Sequence, residues 1–346
     1  MKSTLSRNVV VCLVVLISLG LFIACESKPS GPKKFKVGWS IDTITTPFNA
    51  AEDKAMKEGW AKYPEVELYS TDAQAQSIKQ VSDIEDLVSK GVNVLIVKPR
   101  DEKTLTETLK AVRKKGIPVV TIDRWVEGDD AFTTFIGSDN VEAGKAAAEA
   151  MARQLKYKGN VALIEATPGA SNHMDRTLGF TQEMKKYPNI KIVASQPCVA
   201  KRDEGKRLTG NWLQGYGNKL NGIHSNSDEI TMGVVQVLNE AKRKDVIVTS
   251  VNGQMELVKE IKDGNVTMTA AYSTGVHPAV ELTWLILNGE KDIPKKIVVP
   301  VVTISAEEAK KYYDPNTYLF DYIPGGSPAY KEAEKKYQIL TKLKPR

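Results

Sequence analysis

Cysteine, histidine and long apolar runs are all scarce in this chain of 346 residues, and each shortage closes a class of function. Two of the three cysteines, Cys12 and Cys25, sit at the N-terminus; the rest of the chain keeps Cys198 and cannot close an internal disulfide. His173, His224 and His277 are far apart, and no His-x-x-x-His, Cys-x-x-Cys or Asp-x-Asp-x-Asp-Gly spacing occurs, so neither a metal nor a cofactor is expected. Gly215-Tyr216-Gly217 lacks a third glycine and follows no strand, which makes it a helix-ending turn rather than a dinucleotide loop. No Gly-x-Ser-x-Gly elbow is present. The 48 basic and 42 acidic residues interleave to a formal charge of +6. That is a solvated surface and not a nucleic-acid stripe.

The apolar run that does occur lies at the start. Met1–Asn8 carries Lys2 and Arg7 without an acid, and Val9–Ala24 then runs uncharged. A positive segment followed by a short apolar one is a secretory signal, marginal in length for crossing about 30 Å of hydrocarbon as a helix. Phe22-Ile23-Ala24-Cys25 resembles a bacterial lipobox, with Phe22 where leucine is usual. The resemblance implies cleavage before Cys25 and a diacylglycerol on its thiol; acyl chains contribute about 0.8 kcal/mol per buried methylene to membrane attachment. Ordinary signal cleavage or an uncleaved anchor are the alternatives. Glu26–Lys34 holds Pro, Gly, Ser and Lys with nothing apolar to bury, as a flexible tether does. Residues 1–24 thus read as a signal peptide and 25–34 as a lipidated tether.

From Phe35 onward, β-rich runs alternate with helical periods. Phe35–Ile41, Val66–Ser70, Val92–Lys98 and Ile117–Ile122 read as strands between helices over Gln76–Lys90 and Glu102–Lys115, with Thr46-Pro47 opening an earlier helix as cap and first residue. The pattern restarts at Val141 and ends in an expected strand over Ile297–Thr303. Runs such as Val94–Val97 suit strands covered on both faces, and the alternation implies βαβ crossovers. Two such series predict an α/β protein of two doubly wound parallel-sheet domains. Ligands of such sheets bind outside the carboxyl ends of the strands.

At those ends the residues form an ordered set. Val37–Ile41 with Thr46-Pro47-Phe48-Asn49, Ile117–Arg124, Ile136–Asn140 with Gly144, Pro168-Gly169 with Arg176 and Gly179-Phe180, Ser195–Pro197 and Asn226–Gly233 follow one another in sequence. Together, over about Phe35 to Ser305, they resemble the ribose- and galactose-binding proteins of bacterial ABC importers. The resemblance implies a type I periplasmic binding protein: two lobes joined by a three-segment hinge, with crossings near Ser138–Asn140, Tyr272–Thr274 and Pro300–Val302. The lobes would be residues 35–138 with 273–300, and 139–272 with 301–346.

By the same resemblance Asp123 and Arg124 match a strand-end ligand pair, Arg176 a ligand-contacting arginine, Asn172 an Asp position, Asn252 another Asp position, Ser227 an Asn position and Phe48 a first-loop aromatic. Asp42 follows the first strand. Departures fall at Thr46, Asn49, Ala200 and Tyr272, which leaves Trp39, Trp125 or Tyr272 to replace a missing stacking ring. Each residue also has a plainer use. Arg124 can pair with Asp123 and Arg176 can form a surface salt bridge. Phe48, Trp39 and Trp125 can pack a core, while Asp42, Asn252 and Ser227 can cap a helix or turn.

The implied function is a lipid-anchored solute-binding protein on the outer side of the cell membrane, monomeric, with no nucleic-acid partner. It would close on a monosaccharide or similar small polar ligand and deliver it to an ABC permease. The alternatives are presentation of the ligand to a chemoreceptor or sensor kinase, and a ligand that is a polyol, an acidic sugar or a signalling molecule. An enzyme is not expected: a glycosidase needs two carboxylates facing one bond, and the loops offer only Asp42 and Asp123. A sugar-responsive repressor needs a helix-turn-helix where the export signal stands.

Overall fold

The computed structural model describes residues 34–319; the signal segment, Cys25 and the tether, and positions 320–346, lie outside the described residues. Two six-stranded sheets organise the chain. The first takes β1 (Phe35–Ile41), β2 (Val66–Asp72), β3 (Val94–Val97), β4 (Val119–Ile122), β5 (Thr134–Ser138) and β11 (Lys296–Val299), in the order β11-β5-β4-β3-β1-β2 with every pair parallel. The second takes β6 (Gly159–Glu165), β7 (Ile190–Pro197), β8 (Gly222–Ser225), β9 (Ile247–Asn252), β10 (Met268–Ala271) and β12 (Val302–Ile304), in the order β12-β10-β9-β8-β6-β7. There only the β10–β12 pair is antiparallel. Both sheets start from the same 2-1-3-4-5 winding, so each has a switch point beside its first strand where a ligand crevice forms.

The helices are α1 (Pro47–Trp60), α2 (Ser77–Ser89), α3 (Glu102–Lys114), α4 (Asn140–Gln154), α5 (Ser171–Met184), α6 (Arg202–Tyr216), α7 (Asp228–Glu240), α8 (Met255–Lys262), α9 (Val276–Leu287) and α10 (Ala306–Tyr312). Capping residues fix several of their starts. The Thr46 hydroxyl accepts from Asn49 N ahead of Pro47, Asp101 accepts from Thr104 N, and Asp139 accepts from Glu142 N. Strands β3 and β4 are buried at every residue, as expected for strands with helices on both faces.

The chain passes between the sheets three times. After β5 it enters α4, which packs on α5, β9 and β10; after β10 it enters α9, which packs on α1, β3 and β4; and β11 leads to β12. The last passage corrects the expectation of one strand over Ile297–Thr303. Pro300 has no N–H to give a ladder, so the run breaks there and its halves join different sheets. Helix α6 ends at Tyr216, and Gly217 follows at a φ of 51°.

Four apolar clusters, one on each face of each sheet, form the core. Phe48, from the loop edge of the first sheet, packs with Ala143, Phe180 and Tyr272 in a cluster of the second, so the two lobes are shut against each other. Helices α4 and α5 approach closely through Gly144 and Gly179: a Cβ on Gly179 would collide with the Val141 carbonyl, and one on Gly144 with the Arg176 carbonyl. Gly210 in α6 has nothing within 4 Å of such a Cβ. Urea denaturation should therefore separate the two cases: Gly179→Ala is expected to lower the unfolding free energy by about 1–3 kcal/mol. Gly210→Ala is expected to raise it by about 0.5–1 kcal/mol, because alanine restricts the unfolded chain and suits a helix interior.

Candidate ligand-binding cleft

A cavity of about 340 Å³ lies between the carboxyl ends of the two sheets, within the size range of small-molecule sites. Its first wall is built from β1, α1, β3 and β4. Asp42 follows β1; its Oδ1 accepts from Asn49 Nδ2 at 3.0 Å and its Oδ2 from Arg124 Nη1 at 2.9 Å. Arg124 Nη1 also donates to the Pro99 carbonyl at 3.1 Å. Lys98, one residue past β3, is buried; its Nζ lies 3.0 Å from Asp123 Oδ2 and donates to Asn49 Oδ1 at 3.0 Å and to Glu52 Oε2. Asp123 sits at a φ of 61°, a left-handed conformation that a non-glycine residue adopts at some cost and that is common at functional sites.

The second wall comes from β6, α5, β8, β9 and β10. Asn172 Nδ2 reaches across to Asp123 Oδ2 at 3.0 Å, joining the lobes. Ser227, past β8, and Asn252, the last residue of β9, line the cavity. Tyr272 follows β10, and its ring stacks on Phe48 with centroids 5.4 Å apart and planes 28° apart. The Arg176 guanidinium lies 4.6 Å from the Tyr272 ring and Lys98 Nζ lies 5.0 Å from Phe48, so two cations from opposite lobes flank the stacked pair.

Nine of the residues singled out from sequence line this cavity: Asp42, Thr46, Phe48, Asp123, Arg124, Asn172, Ser227, Asn252 and Tyr272. Three do not. Arg176 is fully buried one layer behind, where its Nε donates to Asn140 Oδ1 at 2.8 Å and its Nη1 to the Asn226 carbonyl at 2.7 Å and Asn252 Oδ1 at 3.0 Å. Trp39 is a core residue of the first lobe with its indole N–H on Asp53, because on β1 it alternates to the face that Val37 and Ile41 also pack. Trp125 lines an adjoining cavity, and its indole N–H donates to Asp175 Oδ2 at 3.0 Å across the lobes. Of the three rings considered as a replacement for the missing one, only Tyr272 stands at the cavity.

Sequence reasoning missed Lys98, Glu52, Arg100, His173 and Gln254. Lys98 and Arg100 obey the same strand-end rule that selected Asp123; Glu52 carries no sequence signal beyond lying one turn after Phe48. Several cavity-side atoms are buried without a hydrogen-bond partner: Arg124 Nε, Asn172 Oδ1, His173 Nδ1 and both amide atoms of Gln254. Buried polar atoms are seldom left so, and donors and acceptors both occur here, as a ligand rich in hydroxyls requires.

The periplasmic binding protein domain matches residues 37–291. The ribose import binding protein of Bacillus subtilis is 32% identical over 302 residues, a match covering 84% of this chain and 97% of that protein. Among solved structures, an ABC transporter solute-binding protein of Bacillus halodurans with bound myo-inositol is 27% identical. The match covers 82% of this chain and 99% of that one with a TM-score of 0.77. The periplasmic binding protein of the arabinose ABC transporter of a Shewanella species, bound to L-arabinofuranose, is 28% identical over 89% of this chain and 97% of that one, with a TM-score of 0.75.

The buried charges set the pH response. Burial pushes the Glu52 carboxyl from 4.5 up to about 8, against the pull of Lys98. Between those values the folded state holds the extra proton, so raising the pH weakens the fold. His224 is buried against Phe180 and lowered from 6.5 to about 3, so below 6.5 it is the unfolded state that gains a proton and acid weakens the fold. Thermal unfolding should show stability falling from pH 6.5 to 8, and Glu52→Gln should remove up to about 1.4 kcal/mol per pH unit from that slope. An unchanged slope in the variant would assign the response to other groups.

Proposed function

The chain belongs to the periplasmic binding protein family, and on that premise we propose that it is the extracytoplasmic solute-binding component of an ABC importer, taking a monosaccharide or a polyol of similar size. The observation that carries this reading is the cavity between two strand-end walls, lined by residues of both lobes that carry donors and acceptors without hydrogen-bond partners. The relatives named above are solute-binding proteins for ribose, myo-inositol and arabinofuranose, and none is an enzyme by its name.

The mechanism follows from the cross-lobe contacts. Closure brings Asn172 onto Asp123, Tyr272 onto Phe48, and Ser171 Oγ under the Trp125 backbone N–H at 3.0 Å. Ligand hydroxyls complete the hydrogen bonding of Arg124, Asn172, Asn252 and Gln254, and the Phe48–Tyr272 pair offers an apolar face to carbon-bound hydrogens. Specificity arises because an analogue lacking a hydroxyl leaves one of these buried groups unpaired. Opening about the three interlobe segments releases the ligand to the permease. We take the lobes as 35–138 with 273–300 and 139–272 with 301–346, and Cys25 as the lipidated residue that keeps the protein on the outer side of the cell membrane.

Isothermal titration against a panel of pentoses, hexoses and polyols is expected to find a saturable ligand, and Arg124→Ala is expected to weaken it by about 10- to 100-fold. A panel that gives no heat with a folded protein overturns the sugar reading. In the native host, Cys25→Ser is expected to move the protein from the membrane fraction to the soluble one and to abolish labelling by a fatty-acid analogue; continued membrane retention would point to an uncleaved apolar anchor.

A further inference from the structure

The two arginines that line the cleft are incompletely met by carboxylates. Lys98 is met by Asp123 and Glu52. Arg124 and Arg100 share one carboxylate oxygen, Asp42 Oδ2, at 2.9 and 3.6 Å, and Arg124 Nε reaches a second, Asp123 Oδ2, only at 3.9 Å, where Lys98 is already bound. Arg176 is fully buried and bonds only neutral acceptors, the side-chain oxygens of Asn140 and Asn252 and the Asn226 carbonyl, and its Nη2 has no partner. At the rim, Lys201 and Glu229 are of opposite sign, and Glu229 is already engaged by Arg202 at 2.8 Å. The cations Lys98, Arg100, Arg124 and Arg176 stand with four carboxylates, Asp42, Asp123, Glu52 and Asp228, but Glu52 holds its proton to about pH 8 through burial, and Asp228 is spent on the Gly253 and Gln254 backbone N–H groups and the Thr269 hydroxyl. An uncompensated charge taken out of water is costly unless something of opposite sign arrives to meet it.

We propose that the solute is a small polyhydroxylated acid, an aldonic or uronic acid, whose carboxylate seats against Arg100 and Arg124. This deepens the solute-binding reading and rests on it. Arg100 lines the cavity with its side chain only 17% exposed, so it is neither a solvated surface arginine nor a fully paired one. Burial, and the charge of Arg124 beside it, lower its pKa against the opposing pulls of Asp42 and, more weakly, Asp101. Arg124 lines the same wall, and its Nε makes no hydrogen bond, with Asp123 Oδ2 no nearer than 3.9 Å. A carboxylate at this point restores one anion per guanidinium and accepts from donors that Asp42 cannot saturate. The stacked rings of Phe48 and Tyr272 and the amides of Asn172 and Gln254 remain for the hydroxylated carbons.

The test pairs each acid with its neutral parent in calorimetry on the whole folded protein near neutral pH: ribonate with ribose, gluconate and glucuronate with glucose, galacturonate with galactose. At least one acid is expected to bind about tenfold or more tightly than its parent. A neutral sugar that binds as tightly as its acid, or more so, overturns this proposal and leaves the solute-binding reading standing. A panel with no binding member overturns both. In Arg100→Gln, checked for an unchanged melting temperature, the acid's affinity is expected to fall about tenfold and that of a neutral sugar to change by less than about threefold. An acid affinity unaffected by Arg100→Gln also overturns the proposal.

Discussion

A charge removed from water has to be met by another charge or by well-placed dipoles, and the cleft of this protein is organised around that constraint. Asp123 is where it is felt most. Its carboxylate is fully enclosed, yet Lys98, Arg124 and Arg176 together hold it below the usual carboxylate range against the opposing effect of burial. It sits in a left-handed backbone conformation that the end of β4 and the neighbouring Arg124 maintain. Removing any one partner would leave another charge exposed to the low-dielectric interior. The side chains of the first wall are thus interdependent, and the strain at Asp123 is held by the ion pairs it makes possible.

The second lobe meets this charged wall mostly with neutral groups. Asn172, Ser227, Asn252 and Tyr272 are dipoles or rings, and the one buried cation, Arg176, is spent on orienting Asn140, Asn226 and Asn252. His224 serves the same end: its Nε2 lies 3.1 Å from Asn226 Oδ1, and it stays neutral because burial disfavours the charged ring. One wall supplies the field and the other supplies shape and hydrogen-bond direction. The two are joined by discrete side-chain contacts, Asn172 on Asp123, Tyr272 on Phe48, and Ser171 and Asp175 on Trp125, which can be broken and remade as the lobes move.

Much of this was legible in the chain. The alternation of Val-rich runs with helical periods pointed to two doubly wound sheets, the strand-end rule pointed to the loops and to Asp42, and the resemblance to sugar-binding proteins singled out Asp123, Arg124, Asn172, Ser227 and Asn252 within them. What failed was whatever depended on which face a residue takes. Trp39 and Trp125 are as aromatic as Tyr272, but Trp39 falls on the core side of the pleat of β1, and Trp125 lies past the cavity beside Asp175. Glu52 was invisible because an acid in the second turn of a surface-like helix is ordinarily solvated; only the fold places Lys98, more than forty positions later, against it. The single expected strand over Ile297–Thr303 failed at Pro300, where a missing N–H lets a continuous β-rich run serve two sheets.

Pro300 also shows how the hinge and the site are coupled. The passages between lobes leave the ends of β5, β10 and β11, and two of these ends carry cleft residues: Asn140, just past β5, accepts from Arg176, and Tyr272, just past β10, bears the ring that meets Phe48. A rotation at the hinge therefore cannot occur without altering the residues that orient Arg176 and the stacked rings. Conversely, a ligand that fixes those residues fixes the backbone on which the lobes turn. Ligand sensing and lobe closure are in this way the same structural event, set by where the strands end.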